Sequence, residues 1–182
     1  MAKLVATRPE WLSSLEIHDI YSLSSCISDD FGDYTDFWKH NGYWLFDSPR
    51  AIREVATVNA IDLTGTALFF YEIYGQEFDD GAWFDFSPVK GLDIHVIRPK
   101  AKQLRGFDIV SFSAGQRPEC SPLSCNSLAE QIQVNQHCLL ASFDEAYKAL
   151  ADGKFERCEP GPYRIFSVYS VEWPKVESNS AG

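Results

Sequence analysis

Tyr163-Arg-Ile-Phe-Ser-Val-Tyr-Ser-Val-Glu-Trp173 is the longest strand signal in this sequence. It is rich in β-branched and aromatic residues, which are enriched in strands because they pack well on a pleated, half-buried surface. The stretch Gly106-Phe-Asp-Ile-Val-Ser-Phe-Ser113 has the same character. We therefore expect both segments to form strands of a hairpin-rich sheet that a few helices cover.

More strand signals lie closer to the amino terminus. Residues 66–74 are rich in Phe and Tyr, and Trp83-Phe-Asp-Phe86 has an alternating pattern. The turn-forming residues Asp79-Asp-Gly81 lie between them, so we expect two antiparallel strands joined by a loop. Ile94-His-Val-Ile97, which is followed closely by Pro99, predicts one more strand.

Helix-start signals occur at three places. Ser48-Pro49 puts a capping hydroxyl before a proline at the first helical position, which predicts a helix over about residues 49 to 60. Ser142-Phe-Asp-Glu145 and Ser127-Leu-Ala-Glu130 have the spacing of a capping box, in which the hydroxyl and the carboxylate bind free backbone amides at a helix start. Between Leu12 and Ile27 the pattern favours a short helix followed by an extended segment.

These elements predict an α+β fold with a largely antiparallel sheet and a few helices packed on one face. No internal repeat, low-complexity tract or Pro/Gly-rich linker divides the chain. We therefore expect a single domain over residues 1–174. Residues 175–182 are small and polar, which predicts a flexible carboxy-terminal tail.

Charge is distributed unevenly along the chain. The formal net charge is −10, and residues 1–95 carry 16 acidic and 6 basic residues, whereas residues 96–182 carry 10 of each. A negative field disfavours nucleic acids and anionic membranes and attracts cationic partners. We therefore expect a basic protein partner, with no binding to nucleic acid or membrane, although the same charge also serves solubility.

The amino-terminal sequence reaches Arg8 and Pro9 before any apolar run that is long enough for a signal peptide. No apolar stretch approaches the length of a membrane span. These features predict a cytoplasmic protein. Its cysteines are then expected to be reduced or to bind metal rather than to form disulfides.

Acidic and aromatic residues are interleaved in two segments of the acidic half. Residues 31–46 and 69–86 hold 15 of the 26 aromatic residues. One strand face buries only alternate positions, so we expect some of these rings at the surface, where they supply contact area while carboxylates orient a basic partner. The alternative is that the rings fill the core and a sheet face. The predicted binding residues are Asp29, Asp30, Asp33, Asp36, Trp38, Trp44, Glu77, Asp79, Asp80, Trp83 and Asp85.

Four cysteines and a histidine lie between the last two strand signals. Cys120 and Cys125 have a C-x4-C spacing, which lets two thiolates converge on one ion, and zinc is bound by four such soft ligands. Nineteen residues separate Cys138 from Cys158, so these two cysteines can join the same site only if the fold brings them together. The alternative is that they are ordinary buried thiols. The candidate zinc ligands are Cys120, Cys125, His137, Cys138 and Cys158.

Cys125 is also a candidate nucleophile, because it precedes the proposed helix cap at Ser127, where free backbone amides stabilise a thiolate. His137 or His40 would then act as the base. The sequence contains no P-loop, no GxGxxG and no GxSxG motif. We therefore expect no catalytic machinery, with a thiol-dependent reaction as the alternative. Glu159-Pro-Gly-Pro162 predicts a rigid turn, and such a loop also suits the rim of a pocket.

These patterns together favour a non-catalytic acidic binding protein that engages a basic macromolecular partner, as an inhibitor or immunity protein does. That expectation rests on charge and size rather than on a motif. One alternative is a zinc-binding or thiol-dependent protein that uses the four cysteines. A second alternative is a small-ligand-binding protein whose pocket is lined by the aromatic strands.

Overall fold

The computed structural model describes residues 2–3, 6–7, 10–14, 16–24, 45–86, 96–113 and 118–175. The strands are β1 (Ala2–Lys3), β2 (Ala6–Thr7), β3 (Asp19–Ile20), β4 (Ala67–Asp79), β5 (Ala82–Asp85), β6 (Gln103–Ser111) and β7 (Tyr163–Val171). The helices are α1 (Pro49–Val58), α2 (Pro122–Cys125) and α3 (Phe143–Ala151), with a 3-10 turn at Leu128–Glu130. Within these ranges, no helix has the length and apolar character needed to cross a membrane.

The main sheet has the strand order β1-β4-β7-β6, and β5 pairs with the far end of β4. Its pairs are antiparallel: on β7, Ile165 lies opposite Ile109 of β6, and Ser170 lies opposite Phe69 of β4. The longest strand signal of the sequence therefore forms an inner strand. The predicted α+β fold with a largely antiparallel sheet is confirmed.

Strand β4 is irregular near its end, where its register with β7 shifts between Ile73 and Glu77. Beyond this shift, residues 76–79 pair with β5. The connecting residues Asp80 and Gly81 have φ angles of 45° and 78°. Positive φ at both central residues is typical of a two-residue hairpin turn whose twist matches the flanking strands. The predicted hairpin is present, and its turn lies beside the start of β7.

Helices α1 and α3 pack on the same face of the sheet. Leu68 and Tyr74 are six positions apart on β4, so their side chains point to the same face. Leu68 packs against Ile52 of α1, whereas the Tyr74 ring lies 4.7 Å from the ring of Phe143 on α3. The other face is covered by loop residues, and its buried cluster includes Leu23, Val110, Leu139, Phe166 and Val168.

Two of the three predicted helix caps are present. The Ser48 side chain accepts a hydrogen bond from Ala51 N, and the Ser142 side chain accepts one from Glu145 N, both at 3.2 Å. The prediction at Ser127 is wrong, because this residue has a φ of 58° and makes no side-chain cap bond. A left-handed residue cannot place its hydroxyl as an extended cap residue does.

The helix predicted after Leu12 is also wrong, because residues 10–14 and 16–24 contain no helix. Instead, β3 pairs with β2, and the backbone next to it bonds to a distant loop: His18 N donates to Gln136 O at 2.9 Å. These long-range hydrogen bonds override a loose helical spacing. A strand is predicted at residues 94–97, of which the structure describes only Val96 and Ile97. Neither of these two residues is in a strand.

A buried carboxylate on β6 holds this amino-terminal segment against the sheet. Asp108 has no exposed surface. Its Oδ2 atom accepts hydrogen bonds from Ser22 Oγ at 2.8 Å and from Leu23 N at 2.9 Å, and its Oδ1 atom accepts one from Ser121 Oγ at 2.6 Å. Charge-assisted hydrogen bonds of this kind are the stronger ones in proteins, so Asp108 has a structural role that the sequence analysis missed.

Candidate functional site

A cavity of about 300 Å³ lies between the β4–β5 turn, the end of α3 and the loop that precedes β7. Its walls come from residues 78–81, from the last turn of α3 and the residues that follow it, and from residues 158–161. The start of β7 contributes Tyr163. We call this feature the hairpin cavity. It combines part of the predicted acidic segment with one of the predicted zinc ligands, Cys158.

The described lining of the hairpin cavity carries four carboxylates, which belong to Asp79, Asp80, Glu156 and Glu159, and it contains no Lys, Arg or His. Helix α3 ends at the cavity with Leu150 and Ala151. The carboxyl end of a helix carries partial negative charge. Side chains and backbone therefore both favour a positively charged group at this place.

Two glycines let the backbone approach these carboxylates closely. A Cβ atom at Gly161 would lie 2.6 Å from Asp79 Oδ1 and 3.2 Å from Phe78 O. A Cβ atom at Gly153 would lie 2.5 Å from Glu156 Oε1, and the φ of 71° at Gly153 also favours glycine. The absence of a side chain at these positions leaves room for two of the four carboxylates.

Glu159 has one satisfied and one unsatisfied carboxylate oxygen. Its Oε1 atom accepts a hydrogen bond from Asn126 Nδ2 at 3.2 Å. Its Oε2 atom is buried and has no hydrogen-bond partner among the described residues. The Glu159 backbone carbonyl accepts a hydrogen bond from the hydroxyl of Tyr163. Burial raises the pKa of that hydroxyl, with further contributions from nearby Cys158 and Glu159, so it stays protonated as a donor.

The predicted binding residues within the described ranges have different environments. Asp79 and Asp80 line the hairpin cavity. Glu77 forms an ion pair with Arg164 at 3.0 Å. The Trp83 ring stacks on the ring of Tyr147, with centroids 4.3 Å apart and planes 4° apart. Asp85 is exposed and accepts a hydrogen bond from Gln76 Nε2. The remaining members lie outside the described residues: Asp29, Asp30, Asp33, Asp36, Trp38 and Trp44.

The aromatic rings of residues 69–86 are divided between the core and the surface. Phe69 and Tyr71 are buried in the cluster on the loop-covered face of the sheet. Phe84, in contrast, has 51% of its surface exposed. Trp83 is partly buried against α3. Several of these rings therefore fill the core, as the alternative interpretation expects. Among the described acidic members of the predicted surface, Asp79 and Asp80 line the hairpin cavity.

The predicted zinc ligands are distributed over several environments. Cys138 is 1% exposed. Cys120 Sγ contacts Asn126 Oδ1 at 3.6 Å, and Cys125 Sγ contacts Ser24 Oγ at 3.4 Å. His137 Nδ1 lies 2.5 Å from Asp19 Oδ1. In the described part of the chain, no three His, Cys, Asp or Glu side chains are grouped so that they could hold a metal ion. Zinc binding stays a prediction.

The environment of Cys125 differs from the one expected for a nucleophile at a helix start. Cys125 is the last residue of α2 rather than a residue that faces a helix start, and Ser127 does not cap the following turn. The ring nitrogens of His137 contact Asp19 and Gln136. Burial raises the pKa of Cys138, helped by Asp108 and Cys125, and burial also raises the pKa of Cys158. Thiolate formation is therefore disfavoured at both residues.

No sequence pattern indicates Glu156 or Tyr163 as site residues, and Glu159 is predicted only as part of a loop suited to a pocket rim. The loop does line the cavity. The Gly at 161 and the Gly at 153 were the available signals, because glycine next to turns indicates a close approach of the backbone to other groups. Only the tertiary structure shows that Asp79 lies next to Gly161 and Glu156 next to Gly153.

Comparison of the chain with protein-family models, with curated proteins and with solved structures found no match.

Proposed function

We propose that this chain is a non-catalytic acidic binding protein that engages a basic macromolecular partner, in the manner of an inhibitor or immunity protein. One observation carries the proposal: the hairpin cavity has four carboxylates and the end of a helix around it, with no basic side chain in its described lining. A positively charged group that enters this cavity meets attraction from several sides.

The overall charge supports the same function. The chain has a net charge of −10, and its first 95 residues hold the whole excess of acidic groups. A field of this kind guides a cationic protein toward its docking surface and raises the rate of association. Asp80 is exposed at the tip of the hairpin, where it can take part in this long-range attraction. The cavity would then provide the short-range contacts.

The proposal is tested with basic peptides of equal length. Blocked oligolysine and oligoarginine are titrated against the protein by calorimetry at about 10 mM and at about 150 mM salt, where screening differs strongly. Both should bind at low salt, and the Kd should rise about tenfold or more at high salt. Oligoglutamate should not bind. Absence of binding by both basic peptides at low salt, or binding that ignores salt, contradicts the proposal.

A pair of variants locates the binding surface. The Asp80→Asn/Glu156→Gln variant removes two charges from the hairpin cavity, whereas the Glu54→Gln/Glu172→Gln variant removes two charges from outside its lining. Both variants change the net charge equally. A difference in their affinity for oligolysine therefore shows which carboxylates lie near the bound peptide. The cavity variant should weaken oligolysine binding about tenfold, and the control less than about twofold, as expected for charges that act at short range. Equal losses would place the partner elsewhere.

A further inference from the structure

We infer that the hairpin cavity receives the side chain of one lysine of the basic partner, with its ammonium group bound by the Glu159 carboxylate. This inference rests on the proposed function and specifies the chemistry of the contact. It starts from Glu159 Oε2, which is buried and has no hydrogen-bond partner among the described residues. An unpaired buried carboxylate oxygen costs free energy, which a donor from outside would recover.

The Glu159 carboxylate can reach such a donor with little rearrangement. Its last side-chain bond is an sp³–sp² torsion, for which a broad range of angles has low energy. Because Glu159 lines the cavity, a limited rotation about this bond would present Oε2 to a cation there while Oε1 stays within reach of Asn126 Nδ2. The Tyr163 hydroxyl donates a hydrogen bond to the backbone carbonyl of Glu159. The side chain of Glu159 can therefore rotate while the loop before β7 stays in place.

The bonding of Glu159 favours lysine over arginine. Its Oε1 atom already accepts from Asn126 Nδ2, which leaves one oxygen for a ligand. An ammonium group is a compact charge that binds a single acceptor well. A guanidinium prefers to bind both oxygens of a carboxylate in parallel, and this would displace Asn126. The geometry therefore suits a donor that makes one short contact.

The walls of the cavity suit the aliphatic part of a lysine. Phe78, Leu150 and Phe155 line the cavity together with the carboxylates. A lysine buries its methylene groups against apolar surface while its charge reaches a polar partner. A bare metal ion fits less well, since no three acidic, His or Cys side chains of the described residues come together as ligands. The cavity is thus built for a cation that carries an apolar stem.

The experiment compares short blocked peptides of the form acetyl-Gly-X-Gly-amide, in which X is lysine, arginine, acetyl-lysine or norleucine. Binding is followed by NMR titration at low salt. The lysine peptide should bind most tightly, the arginine peptide more weakly, and the two uncharged peptides without measurable affinity. n-Butylamine is titrated in parallel, and it should bind more weakly than the lysine peptide because it lacks the backbone of a partner.

The variant Glu159→Gln should weaken lysine-peptide binding about tenfold, the loss expected for one charge-assisted hydrogen bond. Glutamine keeps an oxygen for Asn126, so the fold should be retained. Glu172→Gln is the matched control, because Glu172 is exposed and does not line the cavity. A second readout is alkylation: the lysine peptide should slow modification of Cys158, which lines the cavity, but not of Cys125, which does not.

The outcomes separate this inference from the proposed function. Equal affinity for lysine and arginine peptides, or no loss in Glu159→Gln, overturns the inference, while salt-dependent binding of oligolysine would still support the proposed function. Binding of n-butylamine that is as tight as that of the lysine peptide also overturns it and favours a small amine ligand. If neither oligolysine nor oligoarginine binds at low salt, both proposals fail.

Discussion

Arg164 Nε donates a hydrogen bond to Glu77 Oε2 across 3.0 Å, and the two residues are direct partners in the register of β7 and β4. The guanidinium carbon lies 3.6 Å from the ring centroid of Phe86 and 3.9 Å from that of Phe112. Arg164 is only 5% exposed. A carboxylate from the predicted binding surface thus has a cation of the same protein beside it, next to the register shift of β4.

Replacement of Arg164 should therefore destabilise the fold. Arg164→Met keeps an apolar stem but leaves Glu77 without its cation, and we expect a loss of about 3 kcal/mol, as for other buried ion pairs that lose one partner. Urea denaturation measures the change. Arg50→Met is the control, because the Arg50–Glu54 pair is exposed, and it should cost less than about 0.5 kcal/mol. A similar small loss at Arg164 would show that its ion pair contributes little.

Gly161→Ala should weaken the binding of basic peptides and lower stability. The added Cβ would meet Asp79 Oδ1 at 2.6 Å and Phe78 O at 3.2 Å, so the Asp79 carboxylate must rotate away and the backbone of the turn must move slightly. We expect a loss of stability of about 1–3 kcal/mol, the usual range for overpacking, and weaker oligolysine binding. Gly75→Ala is the matched control, because its Cβ would meet no atom within 4 Å. Equal behaviour of the two variants in denaturation and calorimetry would contradict this account of the cavity.

The stability contributed by Cys138 should depend on pH in the alkaline range. Burial raises the pKa of Cys138 in the folded protein above that of the unfolded thiol, which is about 8.5. The contribution is therefore fully present below that pH and is lost as the pH rises above it, by up to about 1.4 kcal/mol per pH unit. The difference in free energy of unfolding between wild type and Cys138→Ala should fall accordingly between about pH 8 and pH 10. A constant difference would show that Cys138 ionises freely in the folded protein.

The two capping-box sequences should respond differently to the same substitution. Ser142→Ala removes the side-chain acceptor for Glu145 N at the start of α3, and we expect a loss of about 1 kcal/mol. Ser127→Ala should cost less than about 0.5 kcal/mol, because Ser127 forms no cap bond. Thermal unfolding of both variants measures the contrast. A loss at Ser127 as large as that at Ser142 would mean that the 3-10 turn is capped in solution.

The elements that the sequence predicted well are those that depend on near neighbours. A Ser-Pro start, an Asp-Gly turn and a run of β-branched and aromatic residues act within a few positions, and α1, the β4–β5 hairpin and β7 formed where they were expected. The failure at Ser127 shows the limit of such signals. The same capping spacing occurs at Ser127 and at Ser142, but only Ser142 has the extended backbone that a cap requires.

The candidate site was only partly predictable. The acidic character of Asp79 and Asp80 was visible in the sequence, whereas their neighbours Glu156 and Glu159 lie more than seventy positions away in the chain. The position of Glu77 beside Arg164 likewise depends on the register of two distant strands. Two glutamates that look alike in the sequence therefore have different surroundings. Glu77 is paired with a cation, whereas Glu159 has a buried oxygen without a partner among the described residues.

The sequence by itself determined the α+β class, the hairpin, the caps of α1 and α3 and the negative charge, because backbone conformation and side-chain periodicity act between residues close along the chain. The tertiary structure alone decided which carboxylates are neutralised, which thiols are buried and that a cavity forms beside the hairpin turn. These properties depend on electrostatics and packing between segments that meet only when the chain folds, and such interactions leave no local pattern.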